Sequence, residues 1–205
     1  FTSIASTDRP FMAEFDRPSS SLSLSASAFT MTSPTRTTLI FVDPSVADHQ
    51  SLLQGVSSDA EVILLDPEQD GIVQMTQILA NRHEVGSIQI LAHGSDGNLN
   101  LGSTHLNQET LQTYAAQLQQ WSNSLTADGD ILLLSCDVAQ GIAGQAFVQQ
   151  LSLLTQADVA ASTNLTGSTT LGGDWNLEFA TGTIEAALAF QPEALNAYSH
   201  ALGTY

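Results

Sequence analysis

Lysine is absent from the 205-residue chain, and four arginines face 21 acidic residues, giving a formal net charge of −17. Neutralising phosphates needs clustered cations, so this balance excludes nucleic acid and anionic membrane surfaces as partners. No apolar run reaches the roughly 20 residues of a membrane-spanning helix, so no membrane span is expected. Cysteine is nearly missing too: Cys136 stands alone, which rules out an internal disulfide framework and a cysteine-based zinc cage. Charged residues make up only 12% of the chain against 42% hydrophobic, which excludes an acidic disordered polymer. The length suits one domain with a sizeable core, or one domain plus an arm.

The charge is unevenly spread. Arg9, Arg17 and Arg36 fall near the start, balanced there by Asp8, Glu14 and Asp16. Pro10, Pro18 and Pro34, with the serine-rich run from Ser19 to Ser27, interrupt any regular pattern in the same stretch. We read residues 1–36 as an extended Ser/Pro-rich arm and residues 37–205 as an α/β domain. Phe1, Phe11, Phe15 and Phe29 are candidate anchors for the arm in apolar pockets. Residues Ser21 to Ala28 alternate with period two, the pattern of a strand laid on its own domain or added to a sheet edge of a neighbouring molecule. A chain beginning with Phe1 and showing no signal peptide fits a processed form or a part of something longer.

From residue 37 onward, short apolar runs alternate with helix-period stretches. Thr38 to Val42 stops at Asp43-Pro44, and Glu61 to Leu65 stops at Asp66-Pro67. An X-Pro step favours extended geometry and removes a donor, so each ends a strand. Ser87 to Ala92 and Asp130 to Leu134 are two more apolar runs, and strands apolar on both faces belong inside a sheet covered by helices on both sides. Leu111, Tyr114, Ala115, Leu118, Trp121, Ser122 and Leu125 predict one amphipathic helix; Ala143, Ala146, Phe147, Leu151 and Leu154 predict another. Asp158 to Ala161 is a fifth strand, and Trp175 to Phe179 with Thr183 to Glu185 reads as a hairpin around Gly182.

Two residues at strand ends carry the chemistry. His93-Gly94 comes after the third apolar run and Ser135-Cys136-Asp137 after the fourth. Ligands of open α/β sheets bind beyond the carboxyl ends of strands, so neighbouring strands would bring His93 and Cys136 to one functional edge. A thiol attacks as thiolate, and the amides of a helix starting after Asp137-Val138-Ala139-Gln140-Gly141 would favour that anion. His93 would take the thiol proton and return it to a leaving amine. The N–H groups of Gly94 and Cys136 would form an oxyanion hole, Gly94 leaving room for a substrate carbonyl.

This arrangement resembles the caspase-like cysteine peptidases, the group that includes caspases, gingipains, clostripain and separase. There one hydrophobic strand ends in His-Gly and the next in a small residue followed by Cys, as do Leu91-Ala92-His93-Gly94 and Leu134-Ser135-Cys136. A hairpin over Asn98 to Leu106 also falls where that fold carries one. More narrowly, residues 38 to about 190 are similar to an uncharacterised bacterial domain found near the start of very long surface proteins with cadherin-like or calcium-binding repeats. That likeness rests on Asp43-Pro44-Ser45-Val46-Ala47-Asp48, His93-Gly94-Ser95, Cys136-Asp137-Val138-Ala139 and Gly172-Gly173-Asp174-Trp175. The resemblance implies a caspase-like fold with a mainly parallel sheet, a His93–Cys136 dyad, an extracellular or cell-surface location and a protein or peptide partner.

Plainer assignments stand beside these. A single cysteine at a strand end is commonly a small buried hydrophobe, and a histidine before glycine a turn residue. His49, His83, His105 and His200 share no ligand spacing and are assigned to surface or packing. Asp96, Asn98 and Asn100 alternate as calcium ligands do, but an Asx-rich turn accounts for them, and no metal or cofactor is expected. Asn164-Leu165-Thr166 matches a glycosylation sequon, a pattern that recurs by chance. Asp137 and Asp174 are candidate substrate-binding acids for a basic side chain, or simply solvated. Clostripain-like enzymes place an acid two residues before the cysteine, where this chain has Leu134. Two functions are consistent with these residues: a Cys-His peptidase acting on a partner or its own chain, and a non-catalytic building block of an extracellular filament or surface layer, assembled through the arm.

Overall fold

The computed structural model describes residues 37–203, so the arm, its phenylalanine anchors and its alternating strand lie outside the described residues. The chain folds as a mixed α/β domain around a mostly parallel six-stranded sheet. The strands are β1 (Thr37–Val42), β2 (Ala60–Leu64), β3 (Val85–Leu91), β7 (Leu125–Leu134), β8 (Asp158–Ala161) and β9 (Phe179–Ala180), in the order β2-β1-β3-β7-β8-β9. Only β9 runs antiparallel to its neighbour. A separate three-stranded sheet joins β4 (Gly94–Ser95), β5 (Asn98–Leu101) and β6 (Thr104–Asn107), the expected hairpin turning at Gly102.

Strand periodicity sorts the side chains into two layers. Leu39 and Phe41 of β1, Ile88 and Ile90 of β3, and Ile131 and Leu133 of β7 enter one apolar cluster. On that face lie α2 (Gly71–Leu79), α3 (Ala115–Trp121) and α4 (Gly141–Thr155), which insert Ile72, Met75, Leu118, Trp121, Phe147 and Leu151. Each large side chain so buried stabilises the fold by about 1.5–3 kcal/mol. Asp70 caps α2 by accepting from the Val73 N–H at 3.0 Å. The expected helix from Leu111 begins only at Ala115, and Leu125 joins β7, which runs five residues earlier than its apolar stretch indicates.

The opposite face holds Ile40, Val42, Leu91, Leu134 and Cys136, with short helices α1 (His49–Leu53) and α5 (Pro192–Ala197). Much of its cover is irregular chain. The hairpin expected over Trp175 to Glu185 does not form: Phe179–Ala180 pairs with β8, Thr181 donates to the Val159 carbonyl, and Glu185 and Ala186 bond to a side chain. Asp130 Oδ2 accepts the N–H groups of Glu185 and Ala186 at 2.9 and 2.8 Å. Gln89 donates to the Ala187 carbonyl at 2.8 Å and accepts from the Ala189 N–H at 3.0 Å. Both side chains are buried in the sheet, where they satisfy a backbone that has no ladder of its own. β2 also departs from expectation, lying at the sheet edge with Leu64 54% exposed.

Candidate active site

The site lies where β1, β3 and β7 end. The turn at Asp43-Pro44 directs the chain away from β1, and the Asp43 carboxylate holds that turn in place. Its Oδ1 accepts from the Ser45 N–H at 2.9 Å, and its Oδ2 accepts from the Gly102 N–H at 2.6 Å. This anchors the Ser45 carbonyl, which lies 3.1 Å from His93 Nε2 just beyond β3. A carbonyl only accepts, so the ring proton belongs on Nε2 and Nδ1 keeps its lone pair. That Nδ1 is buried and has no hydrogen-bond partner.

Cys136 lies just past β7, whose Leu134 is in register with Leu91 of β3, so the two residues emerge from adjacent strands as the sequence predicts. The thiol is fully buried. Sγ accepts the Thr166 N–H at 3.1 Å and donates to the Thr166 carbonyl at 3.3 Å. Burial pushes the thiol up to about 11, opposed by the Thr166 backbone and assisted by the negative charge of Asp137. The expectation that helix amides favour the thiolate is therefore corrected. α4 starts only at Gly141, and the N–H groups of Asp137 and Ala139 bond to the carbonyls of Asn164 and Ser162 at 2.8 and 2.9 Å. Among the described hydrogen bonds none joins His93 to Cys136. The imidazole is tied toward β1 and the thiol toward the loop after β8.

Gly94 is where the chain must lack a side chain, because an added Cβ would lie 2.6 Å from Val138 Cγ2 and 2.9 Å from the Cys136 carbonyl. Its N–H, one of the two expected oxyanion donors, binds the Leu202 carbonyl at 3.1 Å. Gly203 forms a parallel bridge with Gly94, and a methyl added to it would lie 3.6 Å from Cys136 Sγ. Residues of the C-terminal segment thus cover the thiol.

The two acids serve local structure. Asp137 has a left-handed φ of 58°, and its carboxyl is pushed up by burial and by the charge of Asp96. Asp174 accepts from Asn164 Nδ2 at 3.2 Å and from the Asn176 N–H at 2.7 Å, closing its own turn. Among the described residues no group of three or more His, Cys, Asp or Glu side chains is placed to hold a metal ion. No helix is long and apolar enough to cross a membrane, again among the described residues.

Sequence reasoning missed Ser45, Thr166 and the Leu202–Gly203 segment. Ser45 lies within a motif that carries the family likeness, and Thr166 within a sequon; neither pattern names a backbone carbonyl as a partner. Residues 198–203 are too short and irregular to show any periodicity. A family model described as "Domain of unknown function (DUF4347)" matches residues 39–202, from β1 to the segment over the thiol. No curated protein matches the chain.

Proposed function

The chain belongs to that DUF4347 family, and from this premise we propose that it is a caspase-like Cys-His peptidase module. Its place would be near the start of a long bacterial surface protein, outside the cell. The observation that carries the reading is His93. Its tautomer is set by the Ser45 carbonyl, and its buried Nδ1 lacks a partner beside the strand end that bears Cys136. A buried unpartnered acceptor is costly, and a hydrogen-bond donor brought up to it would satisfy it.

In this mechanism the thiol gives its proton to His93 Nδ1 and attacks a peptide carbonyl whose oxygen is held by the Gly94 N–H. The protonated imidazole passes that proton to the departing amine, and water then hydrolyses the thioester. The net charge of −17 suits an extracellular acidic protein, and the partner is a protein or peptide. A thiol-directed peptidyl probe tests the reading. Labelling should require both Cys136 and His93; a wild-type chain left unlabelled once the thiol is uncovered would reject it.

One observation favours a second reading, the non-catalytic building block assembled through the arm. The Cys136 thiol both donates to and accepts from Thr166, and burial holds it protonated, as in a structural cysteine. Removing residues 1–36 should then abolish assembly while the domain stays folded, and unchanged assembly would reject this alternative.

A further inference from the structure

Residues 200–203 run between Gly94 and the loop after β8 as a short segment bonded on both sides through isolated bridges. The His200 carbonyl accepts from the Ser168 N–H at 2.8 Å, and the Leu202 N–H donates to the Thr166 carbonyl at 2.9 Å. Ala201 bridges antiparallel to Gly167, and Gly203 bridges parallel to Gly94. Main-chain pairing of this kind is how an extended peptide adds to a sheet edge, with alternate side chains read by pockets. Ala201 and Leu202 are both buried in the cluster that contains Val42, Leu91, Leu134 and Cys136, and Leu202 is the large side chain of the two. Its carbonyl is the one held by Gly94, and the next residue, Gly203, lies over the sulfur.

We propose that the space this segment fills is a peptide cleft selective for leucine on the acyl side of the bond to be cut, and that the chain's own Leu202–Gly203 bond occupies it as substrate. The inference rests on the peptidase reading above and supplies its substrate class. It also replaces the expectation of a basic substrate residue, because Leu202 sits among apolar side chains and Asp174 is engaged in its own turn.

The step balances. Rotation about the Cys136 Cα–Cβ bond frees Sγ from Thr166, and its proton moves to His93 Nδ1. Sulfur bonds to the Leu202 carbonyl carbon while the C–N bond to Gly203 breaks. The Gly203 nitrogen leaves as an amine carrying the proton from His93. A water molecule, losing its proton to His93, then cleaves the Leu202 thioester to a carboxylate and returns the thiol.

The test combines intact-mass measurement of the 205-residue chain with hydrolysis of the peptide Ser-His-Ala-Leu-Gly-Thr-Tyr and versions carrying Asp or Arg in place of Leu. The chain variant Leu202→Ala, and Leu202→Asp if folded, would open the cleft for peptide assays in trans. The proposal expects cutting after leucine, in the chain and in the peptide, that disappears in C136A and H93A. Peptides with Asp or Arg should be cut at least about 100-fold more slowly, because a charge would enter an apolar pocket. Cys136-dependent cutting of peptides without preference for leucine would overturn the inference and leave the peptidase reading standing. No Cys136-dependent cutting of any peptide by the opened variants would overturn both.

Discussion

The two faces of the central sheet are built differently. One is covered by three helices whose buried side chains, such as Trp121 and Phe147, interlock with β-branched and leucine residues of the strands. The other is covered by two short helices and by irregular chain, tied to buried Gln89 and Asp130 and to the Thr166–Ser168 loop. Regular packing makes the first face stiff. The second depends on a few specific hydrogen bonds, and it is there that Cys136 and the chain over it reside. Local opening is expected where contacts are few and polar.

The strongest way to break this contrast is in the helical layer. Phe147→Ala should lower global stability by about 3–5 kcal/mol through an internal cavity, measured by denaturant unfolding. On the other face, Asp130→Ala removes the acceptor of the partly exposed Glu185 and Ala186 N–H groups, each bond worth about 0.5–1.5 kcal/mol. Hydrogen exchange should then speed up locally over residues 183–189, while α4 keeps its protection. Equal loss of protection in α4 would show that the faces are one cooperative unit.

Cys136 sharpens the comparison through pH. Its folded thiol is raised from 9.0 to about 11, so the unfolded chain loses this proton first. The contribution is complete below about pH 9 and is lost as pH rises toward 11, a decline of about 2–3 kcal/mol. Subtracting the unfolding free energy of Cys136→Ala, measured over the same pH range, isolates it; parallel curves would mean an accessible thiol. The smallest effect belongs to the sheet edge, where exposed Leu64→Thr should change stability by less than about 0.5 kcal/mol.

The same contrast explains which parts are legible in the sequence. Apolar alternation and helical spacing reveal β1, β3, β7, β8, α4 and the β5–β6 hairpin, because those elements bury a repeating face. His93-Gly94 and Cys136 stand out because each ends such a strand. Ser45, Thr166 and Leu202 act through backbone groups or by tertiary placement, which residue spacing does not encode. The hairpin expected after Trp175 fails for a related reason: its backbone donors are taken elsewhere, Thr181 N–H by the Val159 carbonyl of β8 and Glu185 N–H by the Asp130 carboxylate of β7.

The most direct measurement is the pH dependence of Cys136 alkylation by iodoacetamide in folded chains opened by Leu202→Ala, with and without His93→Ala. If the imidazole and the thiol work as a pair, the opened chain reacts with a midpoint well below the ordinary thiol value of 9.0, and His93→Ala moves that midpoint upward. A midpoint at or above that value, indifferent to His93, would contradict the account and make Cys136 a packing residue.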